Sequence, residues 1–127
     1  MKKILFIEDE QALQKTISDR LLQEGYEVIS ALDGEIGLNL AEEKKPDLIL
    51  LDLILPKLQG LEVLKKLKEG KETKDIPVVI LTNLEEMEKV DKALELGATT
   101  YLVKANYSLE EVVEKIKQQV FINKNAD

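Results

Sequence analysis

Apolar residues fall along this chain in two alternating rhythms. Short runs rich in leucine and β-branched residues, "KILFI" (3–7), "EVISA" (27–31), "DLILL" (47–51), "PVVIL" (77–81) and "TYLVK" (100–104), read as buried strands. The segments between them are longer and carry apolar residues at helical spacing. Leu13, Ile17 and Leu21 stand one turn apart before Gly25, and Ile36, Leu40 and Ala41 mark a second helix. Leu61, Leu64, Leu67 and Lys68 fit a third that ends near Gly70, while Met87, Val90 and Leu94 fit a fourth with Gly97 as its C′ residue. The clearest is the last: Leu109, Val112, Val113, Ile116 and Val120 share one face, behind a capping box of Ser108 and Glu111.

Five strand–helix units in succession predict an α/β fold, a doubly wound five-stranded parallel sheet with helices on both faces. Strands that are apolar throughout suit a sheet covered on both sides. One domain is expected over residues 1–121, followed by a polar tail over 122–127 that frays. In such a sheet, ligands sit beyond the carboxyl ends of the strands. Those ends carry Glu8 and Asp9 after the first strand, Asp52 after the third, Thr82 and Asn83 after the fourth and Lys104 at the fifth. The second strand ends in "ALDG", which reads as a plain turn.

Composition narrows the chemistry. The chain has 127 residues, 44% hydrophobic, and a net charge of −7, which argues against a direct nucleic-acid surface. It contains neither Cys nor His. Disulfides, thiolates, the commonest metal ligand and every Ser–His arrangement are therefore excluded. Carboxylates, hydroxyls, amides and lysines remain. The apolar run in "MKKILFIEDE" is too short for a signal peptide, and no run approaches the roughly 18 apolar residues of a membrane helix. A cytoplasmic protein without membrane association is expected.

Asp52 stands inside "DLILLDLILP" (47–56), the most apolar stretch of the chain. A buried carboxylate without a partner is costly, and nothing nearby in sequence satisfies this one. It is read as a residue that surfaces where its strand ends and reacts there. The others have plainer readings when taken singly. Glu8, Asp9 and Glu10 suit the positive end of the first helix, and Thr82 and Asn83 could cap the fourth with Glu85 and Glu86. Lys104 could be an ordinary strand-end lysine, and Tyr101 a half-buried aromatic on an edge strand. Together they make a specific set. Carboxylates about 4 Å apart repel by about 4 kcal/mol at an effective dielectric near 20, so the cluster needs cations. Lys104 supplies one, and a hard divalent ion on oxygen ligands, Mg²⁺, supplies more. A carboxylate so surrounded is built to stabilise a phosphoryl group and can itself be the nucleophile.

The motifs "FIEDE", "LLDLILP" with Gly60 following, "VVILT" and "YLVK", in this order and spacing over residues 2–120, resemble the receiver domain of two-component response regulators. The resemblance implies a flavodoxin-like (βα)5 sheet of strand order 2-1-3-4-5. It implies Asp52 as the phosphoacceptor, Asp9 as a direct Mg²⁺ ligand, Glu8 as a ligand through water, and the backbone carbonyl of Ile54 as the last protein ligand. Lys104 would contact the phosphoryl group. Thr82 would move to hydrogen-bond it, and Tyr101 would turn inward to fill the vacated space. The donor would be the phosphohistidine of a sensor histidine kinase or phosphotransfer protein. The chain would then be a single-domain phosphorylation switch acting on an output protein, a signalling phosphoacceptor rather than an enzyme. The alternatives are a degenerate receiver that only binds proteins and the N-terminal part of a longer response regulator. A phosphatase with an aspartate nucleophile would need a second acid where Ile54 stands, and a flavin protein a Ser/Thr/Gly-rich loop in place of "EDEQA".

The sequence departs from the family at several places. Ala105 replaces the usual proline after the lysine, so a trans Lys104–Ala105 bond is expected. Asn83 stands where a small residue is usual and would narrow access to Asp52 or orient a water. Because the Ile54 side chain cannot position water, slow hydrolysis of the phosphoryl group is expected. Thr99 and Thr100 replace acids used for dimerisation in transcription-linked receivers, so a monomer is expected before phosphorylation. Tyr107 is either a partner contact or a hydrophobic staple onto the fifth helix.

Overall fold

In the computed structural model, which describes residues 2–125, five strands alternate with five helices. They are β1 (Lys3–Ile7), α1 (Gln11–Gln23), β2 (Glu27–Ala31), α2 (Gly34–Lys44), β3 (Leu48–Asp52), α3 (Gly60–Glu69), β4 (Val78–Thr82), α4 (Met87–Glu95), β5 (Thr100–Val103) and α5 (Leu109–Asn125). All strand pairs are parallel, in the order β2-β1-β3-β4-β5, so the expected doubly wound sheet and its order are both found.

Strand periodicity divides the core. Leu5, Ile7, Ile49, Leu51, Val78 and Ile80 face α2, α3 and α4, where Val63, Leu64, Leu67, Val90 and Ala93 meet them. Their alternates Ile4, Phe6, Leu48, Leu50, Val79 and Leu81 face α1 and α5, against Ile17, Leu21, Val113 and Ile116. β3 and β4 are buried along their whole length, which is why their sequences show no polar alternation.

Helix ends follow the sequence signals. Gly25 (φ 95°) and Gly97 (φ 111°) hold left-handed positions that a side chain would strain. Each closes its helix with a Schellman pair: Gly25 N–H to Leu22 and Tyr26 N–H to Leu21, then Gly97 N–H to Leu94 and Ala98 N–H to Ala93. The capping box forms in both directions, Ser108 N–H to Glu111 (3.0 Å) and Glu111 N–H to Ser108 Oγ (3.2 Å).

Four local expectations are corrected. Ile36 is 47% exposed, and α2 instead buries Gly34, Gly37 and Ala41. This helix lies so close to β1 that a Cβ at Gly37 would come within 2.5 Å of the Ile7 side chain, so its inner face must be small. "ALDG" is no plain turn: Asp33 caps α2 by accepting from the Ile36 N–H at 2.8 Å. Neither Thr82 nor Asn83 caps α4. A 3₁₀ turn (Leu84–Glu86) intervenes, Glu86 holds the N-cap position without a side-chain capping bond, and the Thr82 hydroxyl donates to the Asn83 carbonyl. Lys104 opens a 3₁₀ turn after β5 instead of ending the strand. The Lys104–Ala105 bond is trans, as expected, since no described peptide bond is cis. The backbone of α5 continues through Asn125, into the stretch expected to fray, while Ala126 and Asp127 of that stretch lie outside the described residues. Among the described residues, no helix is long and apolar enough to cross a membrane.

Candidate functional site

The site forms where β1, β3, β4 and β5 reach their carboxyl ends. β1 and β3 are neighbours, and the pairing of Ile7 with Leu51 sets Glu8 level with Asp52. Thr82 ends β4 opposite Val103, so Lys104 is the next residue beyond the sheet. From there its side chain reaches over the end of β4. Lys104 Nζ lies 3.0 Å from Glu8 Oε1 and 3.4 Å from Asp52 Oδ2.

One carboxylate oxygen from each of Glu8, Asp9 and Asp52 lies within 4.8 Å of the others. Glu8 and Asp52 are buried, whereas Asp9 is exposed. The Ile54 N–H donates to Asp52 Oδ1 at 3.2 Å, and the Glu10 N–H donates to Glu8 Oε2 at 3.1 Å. Burial, with Asp52 beside it, pushes the Glu8 carboxyl up to about 7. Burial also opposes the Lys104 charge, but the Asp52 and Glu8 carboxylates outweigh it and raise the lysine above its ordinary range. Three acids against one lysine leave the cluster short of positive charge. Its donors are all oxygen, and the exposed Asp9 leaves room for water, so the residues fit a hard ion that keeps part of its hydration, such as Mg²⁺.

Among the described residues, the side chains of the other expected residues make no hydrogen bond to these carboxylates. Thr82 is buried, its hydroxyl directed to the Asn83 carbonyl, and Asn83 is exposed. Tyr101 is 37% exposed on β5, an outward position. The Ile54 side chain is 39% exposed and offers no polar atom to the site. Tyr107 packs against the core between α1 and α5, as a staple would, and Lys115 Nζ lies 5.1 Å from its ring centroid.

Two nearby polar residues escaped the sequence reading. Asp33 is the α2 cap described above. Gln14 is buried on α1, its amide nitrogen 2.9 Å from the Ala31 carbonyl, 3.1 Å from that of Glu8 and 3.3 Å from that of Phe6. The one signal for Gln14 was a polar residue inside the stripe of Leu13, Ile17 and Leu21.

These electrostatics carry a stability prediction. Attraction of Asp52 to Lys104 and repulsion from Glu8 are of similar size, about 4 kcal/mol each at an effective dielectric near 20. They nearly cancel, which leaves the Ile54 N–H to offset only part of the cost of burying Asp52, a matter of several kcal/mol for an isolated ion. Asp52→Ala is therefore expected to raise the metal-free melting temperature by about 5 °C. The gain is larger at pH 8 than at pH 5. A carboxyl raised in the folded state takes up a proton on folding, so its penalty is absent below its unfolded pKa and complete above about 7. A clear drop in melting temperature would make Asp52 a structural residue.

Comparison with known proteins supports the fold and the family. Residues 4–117 match the family described as the response regulator receiver domain. Over 118 residues the chain is 45% identical to the alkaline phosphatase synthesis transcriptional regulatory protein PhoP of Bacillus subtilis (strain 168), covering 91% of this chain and 47% of that protein. The chain spans about half the length of the curated relatives it matches. Among solved structures, a receiver domain protein (CheY-like) from Methanospirillum hungatei JF-1 superposes with a TM-score of 0.90 at 28% identity, covering 100% and 99% of the two chains. The chemotaxis response regulator CheY4 of Vibrio cholerae superposes at 0.85 and 32%, covering 94% and 98%. With the family match running from β1 well into α5, this chain belongs to the response regulator receiver domains.

Proposed function

We propose that the chain is a phosphorylation switch in which Asp52 accepts a phosphoryl group in a Mg²⁺-dependent reaction. The observation that carries this reading is a buried aspartate ringed by Glu8, Asp9 and Lys104 at the carboxyl end of the central strand. An Asp52 oxygen forms the new O–P bond as the N–P bond of a donor phosphohistidine breaks, its electron pair leaving with the imidazole. The Ile54 N–H holds the Asp52 carboxylate in place beforehand, and Lys104 is positioned to follow the charge onto the phosphoryl oxygens. Asp9, Asp52 and the Ile54 carbonyl would hold the metal directly and Glu8 through water. When bound, Mg²⁺ supplies charge neutralisation on the phosphoryl oxygens. The Thr82 hydroxyl, bonded to the neighbouring Asn83 carbonyl, would turn to the phosphoryl group, with Tyr101 moving in behind it.

In this reading the donor is a sensor histidine kinase or phosphotransfer protein, since the chain contains no histidine. The chain serves as a phosphoacceptor and not as an enzyme on other substrates, and works in the cytoplasm as a monomer until phosphorylated. Its output is a partner protein. A second reading draws support from relatives about twice as long that are named as transcriptional regulators: the output would then be a further domain of a longer protein. Incubation with a small acyl phosphate, with Mg²⁺ or with EDTA, tests the switch. Phosphoryl incorporation is expected with Mg²⁺ alone, and no incorporation in either arm favours a degenerate, binding-only receiver.

Hydrolysis of the phosphoryl group is expected to be slow. Ile54 cannot orient the attacking water, which leaves Asn83 as the side chain able to do so. Asn83→Ala is expected to slow decay further, by about fivefold, the worth of one ordinary hydrogen bond. Rapid decay that Asn83→Ala does not alter would contradict this assignment.

A further inference from the structure

We propose that Gln14 is a positioning residue that sets the geometry of the Glu8–Asp9 loop for its cation, an assignment that rests on reading that loop as a metal site. α1 packs on the sheet through Ile17 and Leu21, and an apolar residue at position 14 would serve that packing as well. The buried amide of Gln14 instead faces three backbone carbonyls, at 2.9 Å (Ala31), 3.1 Å (Glu8) and 3.3 Å (Phe6). An amide group has two hydrogens, so both are used and one is shared.

The three carbonyls are not equivalent. That of Phe6 belongs to β1 and that of Ala31 to the last residue of β2, both inside the sheet. The Glu8 carbonyl lies past the end of β1, where the strand ladder no longer fixes the chain. It belongs to the planar peptide unit that joins Glu8 to Asp9, so holding its oxygen sets the direction in which Asp9 leaves. The Ala31 carbonyl also accepts from the Glu8 N–H at 2.9 Å. Glu8 is thus tied at both ends, by its own N–H to β2 and by its carbonyl to Gln14, and Gln14 returns to the same β2 carbonyl. The closed ring fixes the backbone from which both acidic side chains project. Among the described residues the Gln14 amide bonds to backbone carbonyls, so it acts on the carboxylates through that backbone.

The test is Gln14→Met, which keeps length and apolar contact but removes the donors. Mn²⁺, which suits octahedral oxygen sites, is titrated onto the full chain with free ion read by electron paramagnetic resonance, and Mg²⁺ is scored by competition. Affinity is expected to fall on the order of tenfold, the usual effect of losing a group that orients metal ligands. Thr73→Val is the control. That buried hydroxyl donates to the Leu67 carbonyl at 2.7 Å, before β4 and at the opposite end of the sheet. It should lower the melting temperature and leave metal affinity alone. If Gln14→Met does not fold, Gln14→Asn, one methylene shorter, must show the same weakening. Wild-type affinity in a folded Gln14 variant overturns the assignment. Absence of binding by the wild-type chain overturns the metal reading, and this assignment with it.

Discussion

Replacing Lys104 by methionine is expected to lower the metal-free stability of the protein by about 3 kcal/mol and to slow phosphorylation of Asp52 at least about tenfold. Lys104 is the cation that pairs with Glu8 and Asp52 among the described residues. Methionine keeps much of the stem and none of the charge. Two buried carboxylates then face each other with backbone donors but no cation, and losing one partner of a buried pair costs about 3–5 kcal/mol. The lower end applies because the lysine side chain is 17% exposed and the pair is partly screened. Glu8 limits the damage by holding its proton, so the loss is smaller at pH 5 than at pH 8. Mg²⁺ should restore much of it. Thermal melts of both proteins at the two pH values, with and without Mg²⁺, check all three statements. Equal melting at pH 8 without metal would show that Lys104 does not compensate the acids. The sign is opposite to that expected for Asp52→Ala, so the two substitutions together measure the charge imbalance of the cluster.

The second large effect is steric. Gly60→Ala is expected to cost about 3 kcal/mol and to impair phosphorylation, although alanine is the better helix former by about 1 kcal/mol. A Cβ on Gly60 would stand 2.5 Å from the Asp52 carbonyl oxygen and 2.5 Å from Leu53 Cα. Both are backbone atoms at the end of the central strand and cannot rotate away. The Gly60 N–H also donates to the Leu53 carbonyl at 3.0 Å, so the start of α3 is tied to the loop that follows Asp52. Relief of the clash must shift either α3 or the reactive residue. Melting temperature and the phosphorylation rate with a small donor should fall together. A Gly60→Ala protein with both at wild-type values would mean that the close approach is not needed.

What could be read from the sequence follows from where information lies in a chain. The strands were legible because a sheet covered on both faces needs unbroken apolar runs. Helix ends were legible at Gly25, Gly97 and Ser108 because left-handed and capping positions restrict residue type. The phase of α2 was not, because its inner face is small: Gly34, Gly37 and Ala41 face inward while the larger Ile36 faces water. Strand order came only from the family resemblance, since alternation of elements does not specify it. In the site, Glu8, Asp9, Asp52 and Lys104 were legible because each stands at a strand end, where an apolar run stops at a charge. Gln14 and Asp33 were not, because their partners are backbone groups, which are present at every residue and leave no pattern. The plainer reading of Thr82 as a helix cap fails for a related reason, since a short 3₁₀ turn takes up the residues that resembled a helix start.

The most direct measurement is intact-mass spectrometry of the wild-type chain and Asp52→Asn after the same exposure to a small acyl phosphate in Mg²⁺. The account predicts the mass of one phosphoryl group on the wild type and no addition on Asp52→Asn. Equal addition to both, or none on the wild type, would contradict it.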